Sequence, residues 1–454
     1  MGFLDEEYLL NSESAKQLYE EIRDLPILDP HSHVDVEAVA QNDGWNDIWE
    51  VEGATDHYVW ELMRKRGVPE RKITGSASNH EKWLALANVF PEFAGNPTYE
   101  WIHLDLKRRF GIEKPISAET AEEIWTETKT ALEAPEMCQQ TLLEEMNVAV
   151  ISSTDDPTSD LQYHQQLEDD LNDVTVRPTW RPDTALKIEQ AEWTDYVRNL
   201  GAATNTETGD LEGFLTALQV SHDYFDDHGC GASDHGLPTV TTKPVSEKRA
   251  AAIYDRAYAG EQLTAADVTD FKAFVLEEIG EMNREADWVT QFHIGSVRDY
   301  RDSLYDDLGS DAGGDVSTQN VELTENLEYF LNEFDSDLEV VLYTLDPTHY
   351  PTISSIARAF PNVSVGAAWW FNDSPLGISN QLEYVATVDL LANHAGMVSD
   401  SRKLLSFDSR FEMFRRTLAD TVGGMVEQGQ IPQDVATELV QTVAYDRPAT
   451  LWDF

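Results

Sequence analysis

Leu25-Pro26-Ile27-Leu28-Asp29-Pro30-His31-Ser32-His33 is the stretch that decides how this chain is read. A short apolar run ends in two histidines one residue apart. On extended backbone, residues i and i+2 project to the same side. Both imidazoles can therefore face one metal ion from the rim of a sheet, and histidine is the commonest protein ligand for zinc and its neighbours. Alone, the pattern is equally that of two partly solvated histidines at a strand end. The rest of the chain has to decide.

Short apolar runs near 26–31, 146–152, 173–179, 229–235, 288–293, 338–344, 363–370 and 395–400 read as buried parallel strands. Amphipathic stretches such as 321–331 separate most of them, as parallel connections require. The fold class expected is α/β, a distorted (β/α)8 TIM-like barrel. Residues 1–454 then form a single domain, with 34–140 a helical insertion over the barrel mouth. Helical patterns at 58–66 and 118–131 lie inside that insertion. Residues 241–285 read as another helical excursion, 405–443 as two closing helices, and 303–317 as a Gly- and Asp-rich loop.

The 454 residues carry 84 acidic against 32 basic side chains, a formal charge of -52. The acidic excess runs along the whole chain, which argues against a disordered acidic tail. A surface this acidic repels itself at low ionic strength, and molar salt shortens the Debye length to about 3 Å. The chain reads as adapted to a salt-rich cytoplasm, as in haloarchaea. Nucleic acid and anionic membrane are excluded as partners. Cys138 and Cys230 cannot build a disulfide framework, and no apolar run is long enough to span a membrane. The N-terminus lacks a signal peptide's basic start and apolar run. A cytoplasmic protein is expected.

In a barrel the carboxyl ends of the strands surround the active site. His31 and His33 on the first strand would neighbour Asp400 on the last, giving three ligands for a catalytic metal with an open position. Asp400 also reads as a cap for the helix that follows it. Asp29 is expected to support the group. His293, ending the fifth strand, reads as a further ligand, a hydrogen-bond donor to substrate or a structural histidine.

Longer motifs narrow the reading. They are DHYVWELMRKRGV at 56–68, GNPTYEWIHLDLKRRFGI at 95–112, STDDP at 153–157 and RPTWRPD at 177–183. GCGASDHG at 229–236, HIGSVRD at 293–299, WWFNDSPLGI at 369–378 and GMVSDSRKLLSF at 396–407 follow. In this order, over about 18–418, they resemble the uronate isomerase (glucuronate isomerase) family of the amidohydrolase superfamily. The resemblance implies aldose–ketose interconversion: D-glucuronate with D-fructuronate, and D-galacturonate with D-tagaturonate. A proton moves from carbon 2 to carbon 1 through a cis-enediol. It also implies one divalent metal, zinc, on His31, His33 and Asp400, with a small-molecule sugar acid as partner in a homo-oligomer.

By the same resemblance, Tyr58 is a proton carrier at carbons 1 and 2, with His57 beside it and Asp400 exchanging protons with water or a sugar hydroxyl. Neighbouring cations would have to make a phenolate accessible at Tyr58. Arg181 is expected to clamp the substrate carboxylate, because the planar guanidinium suits bidentate recognition. Arg402 is expected at the substrate or enediol, and Arg298 at the substrate or paired with nearby aspartates. Trp369 and Trp370 would wall the pocket, with Asp234, His235 and His293 at sugar hydroxyls. The chain departs from the family pattern at Pro30 and Ser32, at Gly231 after Cys230, at Asp299-Tyr300-Arg301 and at Phe411. These bear on epimer preference. Two other readings stand beside this one: a one-metal hydrolase of an amide, ester or lactone on the same barrel, and a non-catalytic sugar-acid binding protein. A second metal bridged by a lysine at strand four is disfavoured, since 231–235 contains none.

Overall fold

In the computed structural model, residues 2–319 and 321–454 are described. The strands are β1 (Ile27–Asp29), β2 (Val148–Ser152), β3 (Thr175–Arg177), β4 (Ala232–Leu237), β5 (Val289–Ile294), β6 (Ser296–Val297), β7 (Val316–Ser317), β8 (Val340–Thr344) and β9 (Val363–Val365). β1, β2 and β3 form one parallel sheet, and β4, β5, β8 and β9 form another. β5 and β8 are buried at every position. Packing against both faces of this sheet leaves its strands no solvent side, so runs such as Val340-Val341-Leu342-Tyr343 are nearly continuous in apolar residues.

Isolated bridges join the two sheets: Asp155 to Trp180, and Trp180 to Ser233. The predicted eighth strand, 395–400, is absent as a strand. Residues 395–401 run as a loop tied to both neighbours. Ala395 N–H donates to Val365 O (2.9 Å), Asp400 N–H to His31 O (3.1 Å), and His33 N–H to Ser401 O (3.0 Å). Two left-handed residues break the pleat, Gly396 (φ 90°) and Asp400 (φ 48°). The Ser399 N–H goes to the Asp29 side chain instead of a ladder partner. Among the described residues the strand ladders therefore form two open parallel sheets, not a closed barrel.

The long connection between β1 and β2 is helical, including Val36–Gln41, Ile48–Glu52, His57–Lys65, Asn79–Val89, Pro97–Phe110 and Ala121–Leu132. Asp56 caps the third of these, accepting the Tyr58 N–H at 2.8 Å. The helices Glu247–Tyr258 and Ala265–Glu285 fill the excursion before β5, and Ser406–Glu427 and Gln433–Gln441 close the chain. The stretch expected as a loop at 303–317 instead contains the helix Asp302–Leu308, and its end, β7, pairs antiparallel with β6. Burial of Leu304 anchors that helix, and Gly309 ends it.

Candidate active site

The carboxyl end of β1 and the 395–401 loop bring His31, His33 and Asp400 together. His31 Nε2 lies 3.2 Å and His33 Nε2 3.3 Å from the same Asp400 oxygen, Oδ1. Zinc bonds of about 2.0–2.1 Å place the ligand atoms of a tetrahedral site roughly 3.4 Å apart. Both distances to Asp400 fit, and all three ligand atoms lie within 4.8 Å of one another. Burial holds His33 down to about 4, so its imidazole is neutral and free to ligate. Burial raises Asp400, but hydrogen bonds from His31 and His33, and their charge, bring it well below the usual carboxylate range. For His31 burial is outweighed by the charges of Asp234 and Asp400, which raise its affinity for a proton. The ionised Asp400, the neutral His33 nitrogen and the negative field that draws a proton to His31 together attract a cation.

Asp400 does not cap the helix after it: that helix begins at Ser406 without a side-chain cap. Its second oxygen accepts the indole N–H of Trp369 at 3.0 Å. Trp369 thus orients the Asp400 carboxylate. Asp29 supports the group as expected, accepting the Ser399 N–H at 3.0 Å.

A second buried trio, His31, Asp234 and His293, adjoins the first. His293 Nδ1 sits 2.6 Å from Asp234 Oδ1, and its ring stacks on Tyr343 at 4.1 Å. Its Nε2 is buried with no protein partner. Asp234 is itself fully buried. Burial raises its pKa, but the Arg181 charge, and then those of His31 and His293, bring it well below the usual range.

Two of the residues expected at the substrate have close protein partners. Arg181, predicted as the carboxylate clamp, is held at 3.0 Å from Asp234 and 2.9 Å from Asp183. Its guanidinium neutralises those carboxylates and orients Asp234. His235 does not join the group either. Strand alternation turns it from Asp234's side of β4 towards Ser233 (2.9 Å) and Phe292.

His57 and Tyr58 enter from the insertion, their rings stacked at 4.6 Å. His57 also packs edge-on to Trp370 at 5.9 Å. Burial keeps His57 neutral, and the charges of Arg402 and Arg298 add to that. Burial pushes Tyr58 well above 10 against the pull of Arg410, so its phenol is protonated at rest. The phenolic oxygen is buried and has no partner. Arg298 stacks on Trp370 at 4.5 Å and reaches Asp315 at 3.5 Å, while Arg402 reaches Asp311 at 3.4 Å.

Arg410 and Asp373 were not anticipated. The Arg410 guanidinium lies 4.0 Å from the centre of Trp101 and 5.3 Å from that of Tyr58. It donates to Asp373 Oδ2 (3.0 Å) and Ser399 O (2.8 Å). A signal was present: Arg410 falls on the apolar stripe of Phe407, Phe411 and Phe414, where a cation requires a buried partner.

Comparison with known proteins adds an independent line. A model of the family described as glucuronate isomerase matches residues 1–452. The chain belongs to the glucuronate isomerase family. A uronate isomerase of Thermotoga neapolitana is 59% identical over 450 residues, 99% of each chain. The crystal structure of the uronate isomerase of Thermotoga maritima superposes with a TM-score of 0.98 at 58% identity, covering all of both chains. That of the glucuronate isomerase of Caulobacter crescentus gives 0.95 at 26%, covering 99% and 97%. Membership in the glucuronate isomerase family makes the chain an isomerase, and the hydrolase reading is not favoured. Among the described residues no helix is long and apolar enough to cross a membrane.

Proposed function

We propose that the protein interconverts D-glucuronate with D-fructuronate, and D-galacturonate with D-tagaturonate, by moving a proton between carbons 2 and 1 of the open-chain sugar. The observation that carries this is the convergence of His31, His33 and Asp400 in a chain of the glucuronate isomerase family. Those three residues would hold one divalent metal, zinc on the chemistry of the donor set. Such an ion supplies Lewis-acid polarisation of the sugar oxygens and orients them.

The chain's own groups divide the proton work. Asp400 stays a carboxylate and Tyr58 keeps its proton, a separation of acid and base set by their surroundings. We assign Asp400 to exchange with a sugar hydroxyl and Tyr58 to carry the proton at carbons 1 and 2. Tyr58 acts as base at carbon 2 only after giving its own proton to water in the site, and the Arg410 cation beneath its ring lowers the cost of that phenolate. His57 packs the phenol in place. Arg402 and Arg298 face the substrate carboxylate and the enediol, Trp370 backs Arg298, and His293 and Trp369 hold the metal ligands in position. The distorted (β/α)8 barrel as one domain, the insertion as its cover, the zinc, the homo-oligomer and the salt-rich cytoplasm belong to the same reading. Support for the barrel is the run of bridges and backbone bonds from β3 to β4 and from β9 through 395–401 to β1.

Proton NMR of D-glucuronate with the zinc-loaded protein in concentrated KCl and D2O tests it. The ketose is expected, with deuterium entering at the transferred position. Zinc-bound protein that leaves both glucuronate and galacturonate unchanged overturns the assignment.

A further inference from the structure

We propose that Lys403 is a positioning residue for the isomerisation: through Asp56 it fixes the helix bearing His57 and Tyr58 against the loop bearing Asp400 and Arg402. This rests on the function proposed above.

Lys403 is buried, with 3% of its surface exposed. An ammonium this deep has to be paired. Its Nζ lies 2.9 Å from Glu52 Oε2, 3.3 Å from Asp56 Oδ2 and 4.0 Å from Asp105 Oδ2. Burial works against the ammonium, but the charges of Glu52, Asp56 and Asp105 outweigh it and keep Lys403 a cation. Three carboxylates exceed one ammonium. Burial, then the charge of Glu52, pushes Asp105 well above the carboxylate range.

Asp56 has two tasks. Its Oδ1 caps the His57–Lys65 helix by accepting the Tyr58 N–H at 2.8 Å, while its Oδ2 faces Lys403. A cap alone uses one oxygen and needs no cation. On the other side, Ser401 Oγ accepts the Lys403 N–H and donates to the Lys403 carbonyl, both at 3.1 Å. The Ser401 carbonyl in turn accepts the His33 N–H at 3.0 Å. Hydrogen bonds from His33 through Ser401 to Lys403, and from Asp56 to Tyr58, are thus joined by one ion contact, Lys403 Nζ to Asp56 Oδ2. Glu52 is the control built into the cluster. It meets the same ammonium at shorter range, but it ends the helix Ile48–Glu52, which carries none of the assigned side chains.

The test is a pair of isosteric substitutions with kcat, KM and Tm measured for each on D-glucuronate. Asp56→Asn keeps the cap but removes the charge facing Lys403; Glu52→Gln makes the same chemical change on the other partner. Both are expected to lower Tm. Displacement of a reacting group by about 1 Å costs on the order of 100-fold in rate, so Asp56→Asn is expected to lose roughly 10- to 100-fold in kcat with KM little changed. Glu52→Gln is expected to stay within about threefold of wild type, a difference too small to signal misplacement on that scale. In a Tyr58→Phe background, Asp56→Asn is expected to add no further loss of kcat. Equal kcat for Asp56→Asn and Glu52→Gln, or additive losses with Tyr58→Phe, overturns the proposal. If Asp56→Asn does not fold, Lys403→Arg is read instead: the retained cation is expected to keep Tm while kcat falls, and unchanged kcat overturns the proposal. Wild-type turnover is measured first. Its absence refutes the proposed function, whereas turnover with matched variants refutes only the role of Lys403.

Discussion

Asp373 offers the sharpest test of the electrostatics behind the site. Its carboxyl is buried, with one oxygen bound by Arg410 at 3.0 Å and the other without a partner. Burial raises its pKa, Arg410 opposes the rise, and the negative charge of Asp400 adds to it, leaving Asp373 at about 7. In the unfolded chain an aspartate titrates near 3.9. The folded form therefore binds this proton more readily than the unfolded one. The stability so gained is fully present below about pH 4 and is lost as pH rises through about 7. A gap of about 3 units at about 1.4 kcal/mol each amounts to roughly 4 kcal/mol.

Asp373→Asn removes this titration while keeping the side chain's size and an oxygen to accept the Arg410 bond. At low pH the variant and wild type carry similar neutral groups at this position. As pH climbs, wild type alone has to ionise a buried carboxyl. The variant's stability relative to wild type is therefore expected to rise by roughly 4 kcal/mol between about pH 4 and about pH 8. Urea melts at fixed high KCl and fixed metal content, repeated across that range, measure the difference directly. Background titrations common to both proteins cancel. A difference that stays flat with pH, or that moves in wild type's favour, refutes the reasoning.

The remaining predictions concern the metal and the surface. Asp400→Asn is expected to lose bound zinc, measured by metal analysis after gel filtration, together with its turnover. Trp369→Phe removes the indole donor to Asp400 Oδ2 and is expected to weaken metal affinity by about 10- to 100-fold, as loss of an orienting partner does. With a charge of -52, the protein's Tm is expected to climb as KCl rises from about 0.1 M to about 1 M and the Debye length falls from about 10 to about 3 Å. A melt indifferent to salt refutes the halophilic reading.

What was legible in the sequence was what has a local cause. The apolar run into His31-Ser32-His33 and the Val- and Leu-rich run of β8 state their own conformation, because burial on both faces selects those residues. The DHY motif announces a helix start, since Asp56 is a cap residue followed by an amphipathic turn. The eighth strand failed for a physical reason: Gly396 and Asp400 take left-handed backbone, and no spacing of apolar residues reports a positive φ at Asp400. His235 adjoins Asp234 in sequence, yet neighbours on a strand face opposite sides, and it turns to Ser233 and Phe292. The sequence does not show that Asp183 and Asp234 fold back onto Arg181. Lys403 gave even less warning. Its three partners lie 298 or more residues away, at 52, 56 and 105.

An enzyme with so large a negative charge has still to admit an anion, and the pairing of its cations indicates how. Arg181, Arg410 and Lys403 are each matched by buried carboxylates at short range. Deep ion pairs of this kind cost several kcal/mol to break, so these cations are expected to be weaker competitors for a substrate carboxylate. Arg298 and Arg402 differ. Their partners, Asp315 and Asp311, stand at 3.5 and 3.4 Å, and both guanidiniums keep solvent access. Exposed pairs are worth about 0–1 kcal/mol, and less in salt. The same screening that would weaken repulsion across the acidic surface also loosens those two contacts, which would leave the arginines beside Trp370 and His57 available to a sugar acid. The buried cations fix Asp234, Tyr58 and Asp400 in place, and the rim cations remain exchangeable. On this account, surface acidity and an anionic substrate are compatible because the two sets of cations sit in different dielectric surroundings.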